Sequence, residues 1–481
     1  MLQGFPKFAV SGLLVVWLMS GCREPQSPAP QEASPAAAVK EPLRLLIVDD
    51  ARLATAIPRQ WQARADRELV VRQMTSEQLL ALTSRRLGAD VVIYPSGLMG
   101  ELAARRVIVP VPDKSLQDEA FARRDLFELS RLREVSWGRE VMAVSFGSPQ
   151  FCLLFRRDWF ERLQITPPTT WAAYQEVVAR LADRKQVADL LPAEGQPWTP
   201  VIEPLGSGWR GQVLLARSAA YAQHRSQFST LFDYRTMTPL IDGPPFVRAL
   251  QELVETARHG PANAQQLGPA QVRREFLEGR AAMVLTWPSR ADDQSGEGAP
   301  VAAAFAELPG SVEAYNFRTQ SWDKRGDASD QRVTLAAMAG RLGSVTRESS
   351  EPLVAGNMLI WLTGRLSADV CTETEAGTLF RESHLPLVGR WIDRQFDEAA
   401  AKSYGEAVQQ AQNRTAWLAS VRIPGRPRYL AALDDAVAEA LSGVPPADCL
   451  RKTAAEWDKI TDAIGRESQR QAYMQSVGIN P

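Results

Sequence analysis

Between Leu43 and Arg106, short apolar runs alternate with amphipathic ones, and this order restricts the fold more than any other feature of the chain. LRLLIVDD, from Leu43, is an apolar run closed by two carboxylates. ATAIPRQWQARAD then places Ile57, Trp61 and Ala65 at helical spacing, with Pro58 expected in the first turn, where its missing N–H costs nothing. ELVVRQM reads as a second strand. TSEQLLALTSRRLG carries a capping box at Thr75 and Gln78, an apolar face of Leu79, Leu80 and Leu82, and Gly88 as a stop. ADVVIYP is a third strand, and SGLMGELAARR a helix opening at Ser96. A β-α-β-α-β order demands parallel strands joined by right-handed crossovers. Ligands of such sheets lie beyond the carboxyl ends of the strands. Here those ends are Asp49, Asp50 and the Tyr94-Pro95-Ser96-Gly97 turn, which makes Asp50 and Tyr94 candidate ligand residues. A capping role suits Asp50 equally well.

A crossing strand, VMAVSFGSP, leads into FCLLFRRDWFERLQ, and Ser145 follows that strand near a hinge, which makes it a further candidate ligand residue. PPTTWAAYQEVVARLAD is a turn and a helix, with Thr170 as N-cap and Trp171, Tyr174, Val177, Val178 and Leu181 on one face. Residues 190–290 read as mostly helical. VAAAFAELPG at 301–310 regains strand character, 312–331 reads as a polar loop, and the last third is helical. A lone strand such as VAAAF needs a sheet to join. The chain is therefore expected to leave a first α/β lobe near 150 and to rejoin it near 300. Two lobes joined by more than one crossing make a hinged clamshell that closes on a ligand.

Composition narrows the function classes. With 55 basic and 56 acidic residues there is no electrostatic grip for nucleic acid. His224, His259 and His384 are far apart and read as solvated surface residues rather than a metal site. No GxSxG, P-loop or GxGxxG motif is present, so no catalytic residue, metal or cofactor is assigned. Past Cys22 only Cys152, Cys371 and Cys449 remain, an odd number from which the sequence selects no disulfide. Asp434 and Asp435 read as solvated helix-surface groups.

The N-terminus points outside the cytoplasm. Lys7 precedes an apolar run from Phe8 to Met19, too short to span a membrane, which takes roughly 20 residues. It reads as a signal peptide over residues 1–21, with Ser20 and Gly21 at the cleavage position. A cysteine directly after small residues resembles the bacterial lipobox, in which the cysteine is acylated; Met19 stands where leucine is usual. That resemblance implies Cys22 as the lipidation site. Arg23–Pro42, rich in Pro, Ala, Ser and Glu, suits a flexible tether within residues 22–42.

The segment order resembles the bacterial extracellular solute-binding proteins of sugar-type ABC importers over nearly all of residues 43–465. The most specific stretch is VMAVSFGSPQFCLLFRRDWFERLQITPPTTWAAYQEVVARLA, in which Asp158, Phe160, Pro167, Pro168, Thr170 and Trp171 match the family's turn and helix start. ADVVIYPSGLMGELAARRVIVPVP, FLEGRAAMVLTWPSR, AFAELPG and AALDDAVAEALSGVPPADCLRKTAAEWDKI resemble other family segments. The long stretch VEAYNFRTQSWDKRGDASDQ replaces the family's Gly-Gly stretch. The resemblance implies a type II-like periplasmic-binding-protein clamshell with parallel-sheet lobes, hinge crossings and a helical C-terminal part. Its first lobe would span 43–150 plus about 300–370, and its second 151–299 plus about 371–465. It implies a monomeric, non-enzymatic receptor at the periplasm or cell surface that delivers a sugar to an importer permease. By the same resemblance Trp287 and Arg381 fall at ligand positions. Trp209, set between glycines in GSGWRG, is a ring free to stack on a sugar. A solute-binding fold reused as a sensor or scaffold, and an exported carbohydrate-active enzyme, are the alternatives.

Overall fold

Alternation of apolar residues on two buried faces builds the first sheet. The computed structural model describes residues 41–63, 67–191, 195–291, 293, 300–326, 331–365, 368–374 and 376–479. The expected signal peptide, Cys22 and nearly all of the tether lie outside the described residues. Leu43–Val48 (β1) pairs in parallel with Leu69–Met74 (β2) and Val91–Pro95 (β3). Leu45 and Ile47 of β1 and Val91 and Ile93 of β3 join one apolar cluster, while Leu46, Val48, Val92 and Tyr94 join another. Burial on both faces is why these strands read as continuous apolar runs.

The helices between them are Ala51–Gln62 (α1), Ser76–Ala81 (α2) and Met99–Ala104 (α3). The capping box at Thr75 and Gln78 forms in full. Pro58 sits inside α1, not in its first turn, because α1 begins earlier, at the cap that Asp50 supplies. Ile108–Val109 (β4) and Val144–Ser145 (β5) complete the first run of the chain through this lobe.

The chain then crosses to a second sheet. Its strands are Cys152–Arg156 (β6), Thr199–Ile202 (β7), Ala281–Thr286 (β8) and Ala303–Glu307 (β9), in the order β9-β6-β8-β7. Its helices include Trp171–Ala182 (α4), capped by Thr170, then Arg210–Ala222 (α5), Pro244–Ala257 (α6) and Pro269–Leu277 (α7). The strand expected to rejoin the first lobe near 300 instead pairs antiparallel with β6 as β9. A lone apolar strand takes whichever edge is in reach, and sequence does not say which. The polar stretch at 312–331 is not simply a loop. It holds a hairpin of Glu313–Asn316 (β10) and Ser321–Lys324 (β11), with Tyr315 facing Trp322 and Trp322 packing on Tyr221 of α5.

The return comes later. Thr334–Ala336 (β12) leads to Arg341–Thr346 (β13), which enters the first sheet antiparallel to β3, β4 and β5. Pro352–Thr363 (α8) covers that sheet. The helical C-terminal part begins with Glu398–Gln412 (α9) and Trp417–Ala419 (β14), which pairs with β12. Arg426–Leu441 (α10), Pro446–Ile464 (α11) and Arg466–Ser476 (α12) follow. Among the described residues no helix is long and apolar enough to cross a membrane.

Three passages between the lobes touch without side chains between them. Gly147 has φ +105° and Gly340 has φ +109°. A Cβ on Gly147 would lie 2.7 Å from the Thr378 carbonyl oxygen, and one on Gly340 would lie 2.6 Å from that of Gly147. Both positions therefore exclude a side chain on steric and on conformational grounds. Phe146 N donates to Arg341 O (3.0 Å) and Arg341 N to Gly147 O (3.1 Å), which ties two of the passages together.

Two histidines expected on the surface are buried. His224 sits against Asp323 (Nε2 to Oδ2, 3.1 Å). His384 lies between Phe380 (4.7 Å) and Trp391 (4.6 Å) with neither ring nitrogen hydrogen-bonded. Burial, aided by the nearby Arg381 charge, holds His384 at about 3, well below its ordinary 6.5. The unfolded chain therefore takes up this proton first. The stability that neutral His384 contributes is complete above about pH 6.5 and is lost as pH falls from there toward 3, by up to ~1.4 kcal/mol per pH unit. His384→Phe should flatten the fall of melting temperature between pH 6.5 and 4, as read by circular dichroism; an unchanged slope would place the acid sensitivity elsewhere.

Candidate functional site

The two sheets present their ligand-side edges toward the same passages. In the second sheet β7 and β8 run in parallel, so their carboxyl ends share one edge. β8 ends at Thr286, directly before Trp287, and β7 runs on through Glu203 toward Trp209, the cap of α5. β6 runs the other way, with Cys152 opposite Thr286, which brings Phe151 to the same edge. The result is an aromatic cluster. Ring centroids are 5.4 Å apart for Trp209 and Trp287, 5.7 Å for Phe151 and Trp287, and 6.3 Å for Phe151 and Trp209. Trp287 is buried and Trp209 half-buried. Gln150, beside Phe151, has an enclosed Nε2 without a partner.

Trp209 is held from below by a residue that reads as solvent-facing in the sequence. Asp434 of α10 is buried and accepts from Gly211 N (2.8 Å) and from Gly208 N. It therefore serves the start of α5 from another helix, which local spacing could not reveal. Burial pushes its carboxyl above the ordinary range, against the two backbone donors that stabilise the ionised form.

At the first sheet, Asp50, Ser96, Ser145 and Arg341 gather at the corresponding edge. Asp50 is buried and fully engaged. Its Oδ1 accepts from Leu53 N (3.0 Å), capping α1, and its Oδ2 from Arg341 Nε (3.2 Å) and Thr374 Oγ1 (2.6 Å). Tyr94 is enclosed in the core, its hydroxyl 2.9 Å from Ser344 Oγ, and burial raises its pKa. Ser145 Oγ accepts from Gly147 N (3.1 Å) and so supports the crossing itself. Arg381 lies apart, buried behind α8. It donates to Thr363 O (2.7 and 3.0 Å) and faces Asp125 (3.5 Å), closing the carboxyl end of that helix rather than standing at a ligand position. The structure thus brings together Trp209 and Trp287. It commits Asp50, Tyr94, Ser145 and Arg381 to contacts within the fold.

Sequence reasoning missed the residue that lies between the lobes. Arg426, in the first turn of α10, lodges its guanidinium against Gly97, where a Cβ would overlap it. It donates to Ser420 Oγ (3.1 Å), Met338 O (3.3 Å) and Val421 O. Burial, with the neighbouring Arg422 charge, holds it down to about 9. Ser96 Oγ donates to Ala339 O (2.8 Å) from the same turn. The only sequence signal was the pairing of a small-residue turn, Ser96-Gly97, with an arginine after Gly425. Those segments are far apart along the chain. One apolar cluster then runs from Val48, Tyr94 and Met99 through Phe151 and Trp287 to Ile423. The described cysteines are free buried thiols, and burial drives Cys152 and Cys371 up to about 12.

Two α/β lobes with passages between facing sheet edges define a periplasmic-binding-protein fold of two domains. The chain belongs to the bacterial extracellular solute-binding protein family, whose pattern matches residues 60–325, more than half of its length. It is a solute-binding protein of a family that works outside the cytoplasm. Solved structures of similar fold include an ABC transporter solute-binding protein from Agrobacterium radiobacter K84 in complex with ribitol. That protein is 18% identical, with a TM-score of 0.63 over 87% of this chain and 98% of the other. Maltose-bound MalE3 from T. maritima is 17% identical, with a TM-score of 0.62 over 87% and 100%. The sugar-binding protein MalE from Xanthomonas citri is 14% identical, with a TM-score of 0.63 over 88% and 98%. The search of curated proteins gave no match.

Asp434→Ala should leave Gly208 N and Gly211 N without their acceptor. The expected cost is about 1–3 kcal/mol in urea unfolding, with Trp209 becoming more accessible to iodide quenching. Unchanged quenching would show that Trp209 is held by its ring contacts alone.

Proposed function

We propose that the protein is a lipid-anchored receptor outside the cytoplasm that captures a polar small molecule, a sugar or polyol, and presents it as a monomer to an ABC importer. The observation that carries this reading is the pairing of Trp287, directly after β8, with Trp209, the cap of α5, on the carboxyl side of the second sheet. The half-buried Trp209 ring, backed by the buried Trp287, offers stacking surface to the apolar face of a pyranose, and the unpartnered Gln150 Nε2 offers a donor to a hydroxyl. Membership of the family and the sugar and polyol ligands of the similar structures support the same class of solute. Lobe closure on the solute would be the state an importer reads, by its different affinity for open and closed forms. Cys22 supplies the anchor.

A second reading, a fold reused as a sensor or scaffold, is favoured by one observation: Arg426 and its hydrogen bonds occupy the space against Gly97 between the lobes. A thermal-shift screen of sugars and polyols separates the two. A solute bound only by the folded state at a thousandfold excess over Kd adds about 4 kcal/mol. Trp209→Ala and Trp287→Ala should each weaken that binding about tenfold or more with the melting transition retained. If no sugar or polyol shifts the transition, the scaffold reading stands.

The anchor is tested separately. Cys22→Ser should move the protein from the membrane pellet to the soluble fraction after export; continued retention in the pellet would remove lipidation from the proposal.

A further inference from the structure

A chamber of about 400 Å³ lies away from the tryptophan pair, where β14 and the segment after it meet Arg133, residues 223–232 and the end of the last helix. None of Trp209, Trp287, Phe151, Gly97 or Arg426 lines it. Its charged lining residues are all arginines: Arg133, Arg225 and Arg422. No carboxylate lines it among the described residues, although the chain as a whole carries a net charge of −1. The clustering is therefore local rather than a reflection of a basic protein.

Each arginine has a defined place. Arg422 is 2% exposed; its terminal nitrogens donate to the carbonyls of Glu134 (2.8 Å), Arg133 (3.3 Å) and Ser136 (3.4 Å), while its Nε has no partner. Arg133 sits over the Trp417 ring at 5.5 Å, which holds an exposed guanidinium at the mouth. Arg225 is exposed on the opposite loop. The Glu134 carboxylate does not line the chamber, and its Oε1 accepts from Ser148 Oγ (2.7 Å) and Ala337 N (2.6 Å). Ser420 and Tyr473 also line the wall, with their hydroxyls engaged by Gln212 and Arg426 and by the backbone N–H groups of Thr230, Leu231 and Phe232.

We propose that this chamber is a second binding site, for a small organic anion that carries a phosphate or carboxylate group. Guanidinium groups present planar forks that match both oxyanions, and here one is buried with a spare donor. Burial lowers the pKa of Arg422, a penalty that a bound anion would offset. Trp417 and Tyr473 supply apolar surface for the organic part, so bare inorganic phosphate should bind more weakly than an organic ester. The site stands independently of the tryptophan pair, whichever solute that pair takes.

The test uses the full exported chain and isothermal titration with glucose 6-phosphate, glucuronate, inorganic phosphate and neutral glucose. Saturable binding of glucose 6-phosphate or glucuronate is expected, with the better of the two naming the oxyanion. Affinity should fall about tenfold or more in the Arg133→Gln/Arg225→Gln double variant, whose two positions are exposed and should leave folding intact. It should also fall with added salt, and Trp209→Ala should leave it unchanged. No saturable heat with either organic anion up to about 10 mM would overturn the proposal, as would equal affinity in wild type and double variant. Loss of anion binding in Trp209→Ala with retention in the double variant would assign it to the tryptophan site instead. Loss of neutral-sugar binding alone would count against the Trp209–Trp287 reading and leave the chamber standing.

Discussion

Every interlobe feature depends on one steric constraint, the contact of three chain passages with no side chain between them. Gly147 abuts Thr378, and Gly340 abuts Gly147, at distances that no Cβ could share. Both glycines adopt positive φ, which an L side chain takes only at a cost. Around this junction Ser145 Oγ holds Gly147 N, and Ser148 Oγ reaches Ala339 O at 2.9 Å. Asp50 links α1, the start of β13 and Thr374 through a single carboxylate. Charged and polar groups at the ligand-side edge of the first sheet are thus spent on fixing the junction.

That expenditure explains the asymmetry of the site. The second sheet supplies the rings, Phe151, Trp209 and Trp287. The first supplies a small-residue turn, Ser96-Gly97, whose free volume is taken by Arg426. An arginine with its donors on Ser420 Oγ and two backbone carbonyls is a fixed wall rather than a mobile lid. The same stretch of chain, residues 417–426, carries Trp417 and Arg422 into the separate arginine-lined chamber, so one segment shapes both places.

Local signals were legible where the physics is local. The capping box at Thr75, the N-cap at Thr170 and the β1–β3 parallel order follow from spacing and from burial on both faces. The aromatic pair was legible as two separate residues, because each follows a strand or sits in a glycine-framed turn. Pairing across distance was not legible. β9 joined the sheet whose edge lay within reach, the polar stretch after it folded into a hairpin whose Trp322 packs on Tyr221, and Asp434 found its donors on another helix. His384 looked like a surface residue until Phe380 and Trp391 enclosed it.

By itself the sequence determined the α/β class, the run of parallel strands and the family. These depend on periodicity, cap chemistry and motif order, which are properties of neighbours in the chain. Only the tertiary structure decided which candidates are tied up within the fold and which are drawn together. Asp50 and Tyr94 are held by partners hundreds of residues away, Ser145 by Gly147 N and Arg381 by Thr363 O, whereas Trp209 and Trp287 are brought ring to ring. A polar group's role is set by whichever donor or acceptor burial places beside it, and that partner is chosen by long-range packing rather than by sequence spacing.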